Sequence, residues 1–206
     1  MRDKETVIAF FIIITILTSS VVWISVNPRP SEQFMAIFTL GENGMAEHYY
    51  PNDNPNLKLD ELVHWYVGVY NHMDSIELIS IRFKLLNATL PAPDDQTHTP
   101  SPASAFTEIQ HLLLNNETWI IPISWEITYA SLVNDSIVIN TVSMNGAPIT
   151  SNLAVSAQGG RNFRIIIELW TFEPETQQYG FGWETQNETR VVWNQIWFNA
   201  TLTNPK

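Results

Sequence analysis

The apolar positions of this chain follow two patterns, one near the N-terminus and another through the rest. Val7–Val26 is an uncharged, largely apolar run of 20 positions. A helix needs about 20 apolar residues to cross the hydrocarbon core of a bilayer. From Phe34 onward, apolar and polar residues alternate in short runs, as they do in strands that bury one face. The chain is therefore predicted to be one membrane-spanning helix followed by a sheet-rich domain.

Four runs show the alternation most clearly. Their apolar members are Val63, Trp65, Val67 and Val69; Ile79, Ile81, Phe83 and Leu85; Trp119, Ile121, Ile123, Trp125 and Ile127; and Phe163, Ile165, Ile167 and Leu169. Further strands are predicted at Met35–Leu40, Ser136–Val142, Gln178–Trp183 and Val191–Leu202. About eight strands separated by turn residues predict an all-β, immunoglobulin-like antiparallel β-sandwich, with a barrel as the alternative. Ser104–Leu114 is the one exterior window compatible with a short helix.

The same patterns divide the chain into four parts. Residues 1–6 are predicted to be a short N-terminal tail, 7–26 the helix, 27–33 a proline-containing linker and 34–206 a single β-sandwich domain. Leu90–Ser104 is rich in proline, acidic and small polar residues, so it is expected to be a mobile surface loop. Dividing the domain at this loop would leave each half with too few strands to close a core.

The few charges around the apolar run predict its orientation in the membrane. Arg2 and Lys4 precede the run, whereas only Arg29 follows it closely. Positive residues favour the cytoplasmic side, so the N-terminus is predicted to be cytoplasmic and the rest extracellular, in a single-pass cell-membrane protein. A cleaved signal peptide is the alternative. Its apolar region is normally about 7–15 residues and ends at a small-residue cleavage site, neither of which fits well here.

Composition narrows the function classes. The net charge of −11 would repel nucleic acid and anionic lipid headgroups, so no nucleic-acid partner is expected. The chain has no cysteine, which excludes disulfides, zinc–thiolate sites, iron–sulfur clusters and thiol nucleophiles. Stability must then come from core packing. Nothing in the composition indicates a cofactor.

An exterior domain would expose five Asn-x-Ser/Thr sequences to N-glycosylation. Their asparagines are Asn87, Asn116, Asn134, Asn187 and Asn199. The sequences at Asn116, Asn134 and Asn187 fall at predicted turns or strand ends, where an acceptor is most accessible. The two at Asn87 and Asn199 lie closer to predicted strands. Glycosylation of at least one of the five is expected.

Histidines offer a metal-binding alternative. His48, His72 and His111, with methionines nearby in the sequence, are ligands of the kind that suits copper. No His-x-His pair occurs, so ordinary surface or turn histidines are the simpler interpretation. Asn52–Asn54 and the pair Asp94-Asp95 could supply oxygen ligands to calcium, but neither matches the spaced acidic calcium loop.

The sequence favours binding over catalysis. It contains no Gly-x-Ser-x-Gly elbow, no His-Glu-x-x-His motif and no glycine-rich phosphate loop. A hydrolase using two exterior carboxylates is a remote alternative. Trp65, Trp119 and Trp125 share the parity of core residues, whereas Trp170 falls on the opposite face of its strand. Trp170, Trp193 and Trp197 are therefore predicted to contribute to an exposed aromatic binding surface.

Two segments carry a family resemblance. Phe38–Pro51 contains a Gly-x-x-Gly turn and an Ala-Glu-x-Tyr-Tyr-Pro step, and Val67–Met73 is a strand ending in Asn-His. Together they resemble the archaeal membrane-anchored family called domain of unknown function 1616, and Asn115–Trp119 and Phe163–Trp170 fit the rest of that pattern. The resemblance implies an archaeal origin and a β-sandwich outside the cell. It implies no activity. A single anchor, an acidic sandwich and the lack of a catalytic motif lead us to expect a non-enzymatic module of the cell envelope with a protein or glycan partner.

Overall fold

The structure is a computed structural model that describes residues 2–27, 32–149, 153–185 and 188–202. The chain splits into two compact units, Met1–Glu32 and Gln33–Lys206. The second unit begins one residue before the domain boundary predicted at position 34.

The first unit contains helix α1, Arg2–Val26. Its segment Lys4–Val26 is long and apolar enough to cross a membrane, a criterion that a signal sequence near the N-terminus would also meet. Hydroxyl groups inside it donate to the carbonyl one turn back, as Thr15 does to Phe11 at 2.8 Å and Ser20 does to Ile16 at 2.8 Å. This hides their polarity within the helix, as an apolar surrounding requires.

The second unit is built of strands. Their bounds are β1 Phe34–Leu40, β2 Asn56–Lys58, β3 Val63–His72, β4 Glu77–Asn87, β5 Thr107–Leu113, β6 Thr118–Val133, β7 Ser136–Met144, β8 Ala147–Ile149, β9 Val155–Gln158, β10 Phe163–Glu173, β11 Gln178–Phe181, β12 Trp183–Glu184, β13 Thr189–Arg190 and β14 Trp193–Thr201. A 3-10 turn, Pro51–Asp53, precedes β2.

Two six-stranded sheets form the domain. The first has the order β1-β3-β6-β7-β8 with β9 also on β7, and the second has the order β2-β14-β10-β4-β5 with β11 also on β10. The named strands pair antiparallel except for β2, which runs parallel to β14. Strands β12 and β13 form a small separate ribbon. The antiparallel β-sandwich predicted from the sequence is confirmed, and the barrel alternative is wrong.

The core lies between the sheets and has an aromatic centre. The rings of Trp65 and Trp125 are 5.1 Å apart, Phe198 lies 5.1 Å from Trp125, and Phe163 lies 5.7 Å from Phe198. All four side chains are almost fully buried. Trp119 is partly buried against the same core. The predicted inward parity of Trp65, Trp119 and Trp125 is therefore confirmed.

One buried polar residue fastens an end of the sandwich. Asn71 near the end of β3 is fully buried, and its Nδ2 donates to the carbonyls of Ser75, Leu113 and Leu114 at 2.8, 3.2 and 3.1 Å. Its Oδ1 accepts from the Met73 amide at 2.9 Å. Asn71 thus ties the turn between β3 and β4 to the turn between β5 and β6.

Two local expectations need correction. Thr107–Leu113 within the window considered for a helix is strand β5, which pairs with β4 and alternates partly buried and exposed residues over its first six positions. Pairing with β4 at the edge of the second sheet outweighs the weak helical pattern of this segment. The segment 90–104 lies largely on the surface, as expected, but it is anchored there, because Ser101 within it is buried and hydrogen-bonded to Lys84 and Glu168 of the second sheet.

Candidate functional site

The outer face of the second sheet carries an unusual set of side chains. Its central strands turn every second residue away from the core, and these residues are Ser80, Arg82, Lys84 and Leu86 on β4 and Arg164, Ile166, Glu168, Trp170 and Phe172 on β10. Although they point away from the core, Leu86 and Ile166 are both 0% exposed. Something other than the opposing sheet must therefore cover part of this face.

The cover is residues 90–104, named here the covering loop. Ser101 is only 2% exposed, and its hydroxyl donates to the Pro91 carbonyl at 3.0 Å. At the loop's tip, Asp94 and Thr99 exchange backbone hydrogen bonds of 2.9 and 3.1 Å. The loop thus closes on itself and lies over one half of the face.

A buried ion pair joins the covering loop to the sheet. Lys84 Nζ lies 2.8 Å from Glu168 Oε2, and the two side chains are 6% and 0% exposed. Glu168 also accepts from the Ser101 amide at 2.9 Å, while Lys84 donates to the Ser101 carbonyl at 2.6 Å. Such a pair is costly to bury unless its remaining hydrogen-bonding capacity is used, as it is here. The Glu168 carboxylate therefore uses its contacts with Lys84 and Ser101 to fix the covering loop to the sheet.

The other half of the face is uncovered and apolar. Leu78 on β4 lies opposite Leu112 on β5, and extension of this register places Ile76 opposite Leu114. Ile76, Leu112 and Leu114 are 59%, 56% and 52% exposed. Phe172 follows in the neighbouring strand and contacts Tyr179 on β11, with ring centres 5.4 Å apart. We call these six residues, Ile76, Leu78, Leu112, Leu114, Phe172 and Tyr179, the apolar patch.

Trp170 borders the apolar patch. Its ring is stacked on the Arg82 guanidinium at 3.9 Å and lies 5.6 Å from the ring of Phe181. Its Nε1 donates to Glu168 at 2.9 Å. Burial raises the pKa of Tyr179 beyond its usual value, and the nearby Glu108 carboxylate adds to the rise. The predicted outward orientation of Trp170 is confirmed, but the ring is only partly exposed.

Trp193 and Trp197 lie apart from the apolar patch on β14. Trp193 donates to Asp95 of the covering loop at 2.7 Å. Trp197 is 39% exposed and stacks on the Arg164 guanidinium at 4.7 Å. Its carbonyl accepts from the Tyr50 hydroxyl, whose pKa is raised by burial to about 12. Trp170, Trp193 and Trp197 all lie on the outer face of the second sheet. The ion pair of Lys84 and Glu168, which holds the covering loop to the sheet, lies between Trp170 and Trp197.

The histidines proposed as metal ligands each have a different partner. His48 lies 2.7 Å from Asp53, and this hydrogen bond raises the His48 pKa above its usual value. His72 lies 2.7 Å from Asn116 Oδ1. His111 stacks on Trp119 with ring centres 3.9 Å apart.

The positions of these histidines do not favour one shared metal site. Tyr49, next to His48, accepts from Trp65 near the start of β3, whereas His72 ends that strand. Seven residues of strand separate those points, or about 20 Å. Within the described residues no group of three or more His, Cys, Asp or Glu side chains is placed to hold a metal ion.

The acidic turns considered for calcium have structural partners of their own. Asp94 accepts from the amides of Gln96 and Thr97 at 2.8 and 3.2 Å, and these bonds lower its pKa. Asp95 accepts a hydrogen bond from Trp193 Nε1, and Asp53 is hydrogen-bonded to His48.

The glycosylation sequences differ in how their asparagines are bonded. Asn87 Nδ2 donates to the Ser156 carbonyl at 2.8 Å, and Asn199 Nδ2 donates to Asn56 at 2.9 Å. Asn116 and Asn134 are exposed in turns and have positive φ values of 59° and 47°. Asn187 lies outside the described residues. Occupancy of these sites remains a prediction.

Sequence reasoning missed the residues that organise this face. Glu168 lies on the outward parity of a largely apolar strand, which was a signal for a buried, partnered charge. The outward leucines of β5 were hidden by the helical interpretation of that window. Asn71 has the parity of Val63–Val69, so a polar residue at an inward position was a signal for a buried hydrogen-bonding role.

No family model matches the chain, and no curated protein matches it. Among solved structures it is similar to a β-glucosidase from Listeria innocua in complex with glucose, with 11% identity and a TM-score of 0.40. The match covers 84% of this chain but only 17% of that one. The isofagomine complex of the Listeria innocua β-glucosidase gives 12% identity and a TM-score of 0.39, covering 82% and 16%. Likenesses this remote carry no argument about function.

Proposed function

We propose that the protein is a membrane-anchored, non-enzymatic binding module of the cell envelope that docks another envelope protein through the apolar patch. The observation that carries this proposal is the contiguity of Ile76, Leu112 and Leu114, each more than half exposed, on one uncovered half-face. Contiguous apolar surface on a folded domain marks an interaction site. If these three positions contacted only water, polar residues would be expected there.

The composition of the patch favours a protein over a glycan. Four of its six members are aliphatic and cannot offer the flat ring on which a sugar stacks. At the margin of the patch, Arg82 and Glu108 form an ion pair of 3.2 Å. An apolar centre with polar groups at the rim is the usual organisation of a protein interface.

The location in the proposal follows from the N-terminal segment. α1 is long and apolar enough to span a bilayer, and Arg2 and Lys4 favour a cytoplasmic N-terminus. The domain would then lie outside the cell, as the resemblance to the archaeal domain of unknown function 1616 also implies. Membership in that family is part of the proposal.

The test is co-purification of the full-length protein from its native membranes in mild detergent. The variant Leu112→Asp places a charge in the apolar patch, and Leu132→Asp is the matched control because Leu132 is 63% exposed on β6. Burying a leucine side chain contributes about 1.5–3 kcal/mol, so Leu112→Asp should weaken the complex at least tenfold. Leu132→Asp should leave it unchanged. A protein recovered in fixed ratio with the wild type and with Leu132→Asp, but lost from Leu112→Asp, would support the proposal. Recovery of a lone monomer, or of a glycan alone, would overturn it.

A further inference from the structure

The turn between β5 and β6 holds its glycosylation asparagine in a defined orientation. His72 Nδ1 lies 2.7 Å from Asn116 Oδ1, and the Tyr70 hydroxyl donates to the same oxygen at 3.4 Å. Because the oxygen makes both of these contacts, Nδ2 is the amide atom that takes no part in them. Among the described residues no protein group accepts a hydrogen bond from this nitrogen. Nδ2 is the atom that N-glycosylation modifies, so its freedom matters.

The contrast with two other sequences is direct. At Asn87 and Asn199 the same nitrogen already donates, to the Ser156 carbonyl and to Asn56. The oxygen of Asn87 also accepts from the amides of Thr89 and Leu90, each at 3.0 Å. A sugar at either position would replace one of the two hydrogens on a nitrogen that already donates, so it would have to fit beside an existing hydrogen bond. At Asn116 no such bond within the described part of the chain lies beside the attachment point.

An aromatic surface lies beside Asn116 on the outer face of the first sheet. The Phe34 ring lies 5.7 Å from that of Tyr70 and 5.1 Å from that of His72. Tyr70 and His72 are stacked with ring centres 6.0 Å apart. One face of a pyranose ring presents C–H groups, which pack favourably on aromatic rings. This surface lies on the outer face of the first sheet, whereas the apolar patch lies on the outer face of the second.

We propose that Asn116 carries an N-linked glycan whose first sugar packs against Phe34, Tyr70 and His72. The inference rests on the proposed function, because only an exterior domain meets the glycosylation machinery. The donor is a sugar carried on a lipid phosphate, transferred by a separate enzyme. The C1–Nδ2 bond forms as the C1–oxygen bond to the phosphate breaks. The lipid phosphate leaves with the electron pair, and Nδ2 gives one proton to a base of that enzyme.

The experiment is glycopeptide mass spectrometry of the full-length protein from its native host. The chain has no cysteine, so Leu132→Cys introduces a single exposed thiol that a membrane-impermeant maleimide labels only on an exterior domain. We expect labelling on intact cells, a glycan mass on the Asn116 peptide and unmodified Asn87 and Asn199. Thr118→Val should abolish that glycan, whereas the matched change Thr89→Val should not.

The outcomes separate the two proposals. A labelled domain with unmodified Asn116 would overturn the glycan inference and leave the exterior location standing. An unlabelled domain would overturn both. Equal occupancy at Asn87 would overturn the orientation argument. For sugar packing, enzymatic removal of the glycan should lower the urea midpoint of the wild type but not of Tyr70→Ala, and equal effects on both proteins would contradict it.

Discussion

Replacing Glu168 by glutamine removes a single negative charge from the point where the covering loop meets the sheet. The glutamine side chain keeps an oxygen that accepts from the Ser101 amide, but it no longer neutralises Lys84, whose Nζ lies 2.8 Å from the carboxylate. Lys84 is 6% exposed at its side chain, so its charge would stay buried without a counterion. We expect a large loss of stability from this nearly isosteric change.

The magnitude follows from the burial of both partners. Breaking a buried pair by removing one charge costs about 3–5 kcal/mol. A domain of this size has a stability of about 5–15 kcal/mol, so the loss is a third or more of a typical value. At about 2–4 °C per kcal/mol the melting temperature should fall by on the order of 10 °C. Lys84→Met should have a comparable effect, and the double variant should lose clearly less than the sum because neither charge is then left alone.

The assay is urea denaturation of the full-length protein in detergent, followed by tryptophan fluorescence. Glu175→Gln is the control, since Glu175 is an exposed carboxylate on the turn after β10 and should change stability by less than about 0.5 kcal/mol. Limited proteolysis should also cut the covering loop faster in Glu168→Gln. A Glu168→Gln variant within about 1 kcal/mol of the wild type, or strictly additive single changes, would refute the reasoning.

Three further predictions test other parts of the fold. Asn71→Asp should destabilise by about 3–5 kcal/mol in urea denaturation, because a carboxylate would face the three carbonyls to which Nδ2 now donates. Gly160→Ala should cost at least about 2 kcal/mol more than Gly159→Ala in the same assay. Both glycines have positive φ, but a Cβ at Gly160 would lie 2.2 Å from a backbone oxygen, whereas none lies within 4 Å at Gly159. His48 should titrate by NMR above its usual pKa of 6.5 and return toward it in Asp53→Asn. Its stabilising contribution should be complete below pH 6.5 and disappear as pH rises through the folded-state pKa, so the reverse order would contradict the contact.

The fold was largely readable from the sequence because a period-two pattern has one physical meaning when it recurs. Val63–Val69 and Ile79–Leu85 turn alternate residues toward the core regardless of which strands they meet. Pairing order and the short strands β2, β8 and β9 were not readable in this way, because three or four residues show no period. Thr107–Leu113 was ambiguous alone, and only its pairing with β4 makes it a strand.

The candidate site was less readable because it depends on contacts distant in sequence. The outward parity of Trp170 could be predicted from its own strand. Its own strand does not predict that the covering loop buries Ile166 and leaves Leu112 exposed. That arrangement depends on where Ser101 contacts Lys84 and Glu168. Proline and acidic residues marked the segment as a loop, but composition does not distinguish a free loop from one packed on a sheet.

The most direct measurement is photo-crosslinking from a photoreactive amino acid placed at position 112 of the full-length protein in its native membrane. Position 132 is the control, being equally apolar and exposed but outside the apolar patch. A docking module predicts one discrete protein adduct from position 112 and none from position 132. No adduct from position 112, or the same adducts from both positions, would contradict the proposed function.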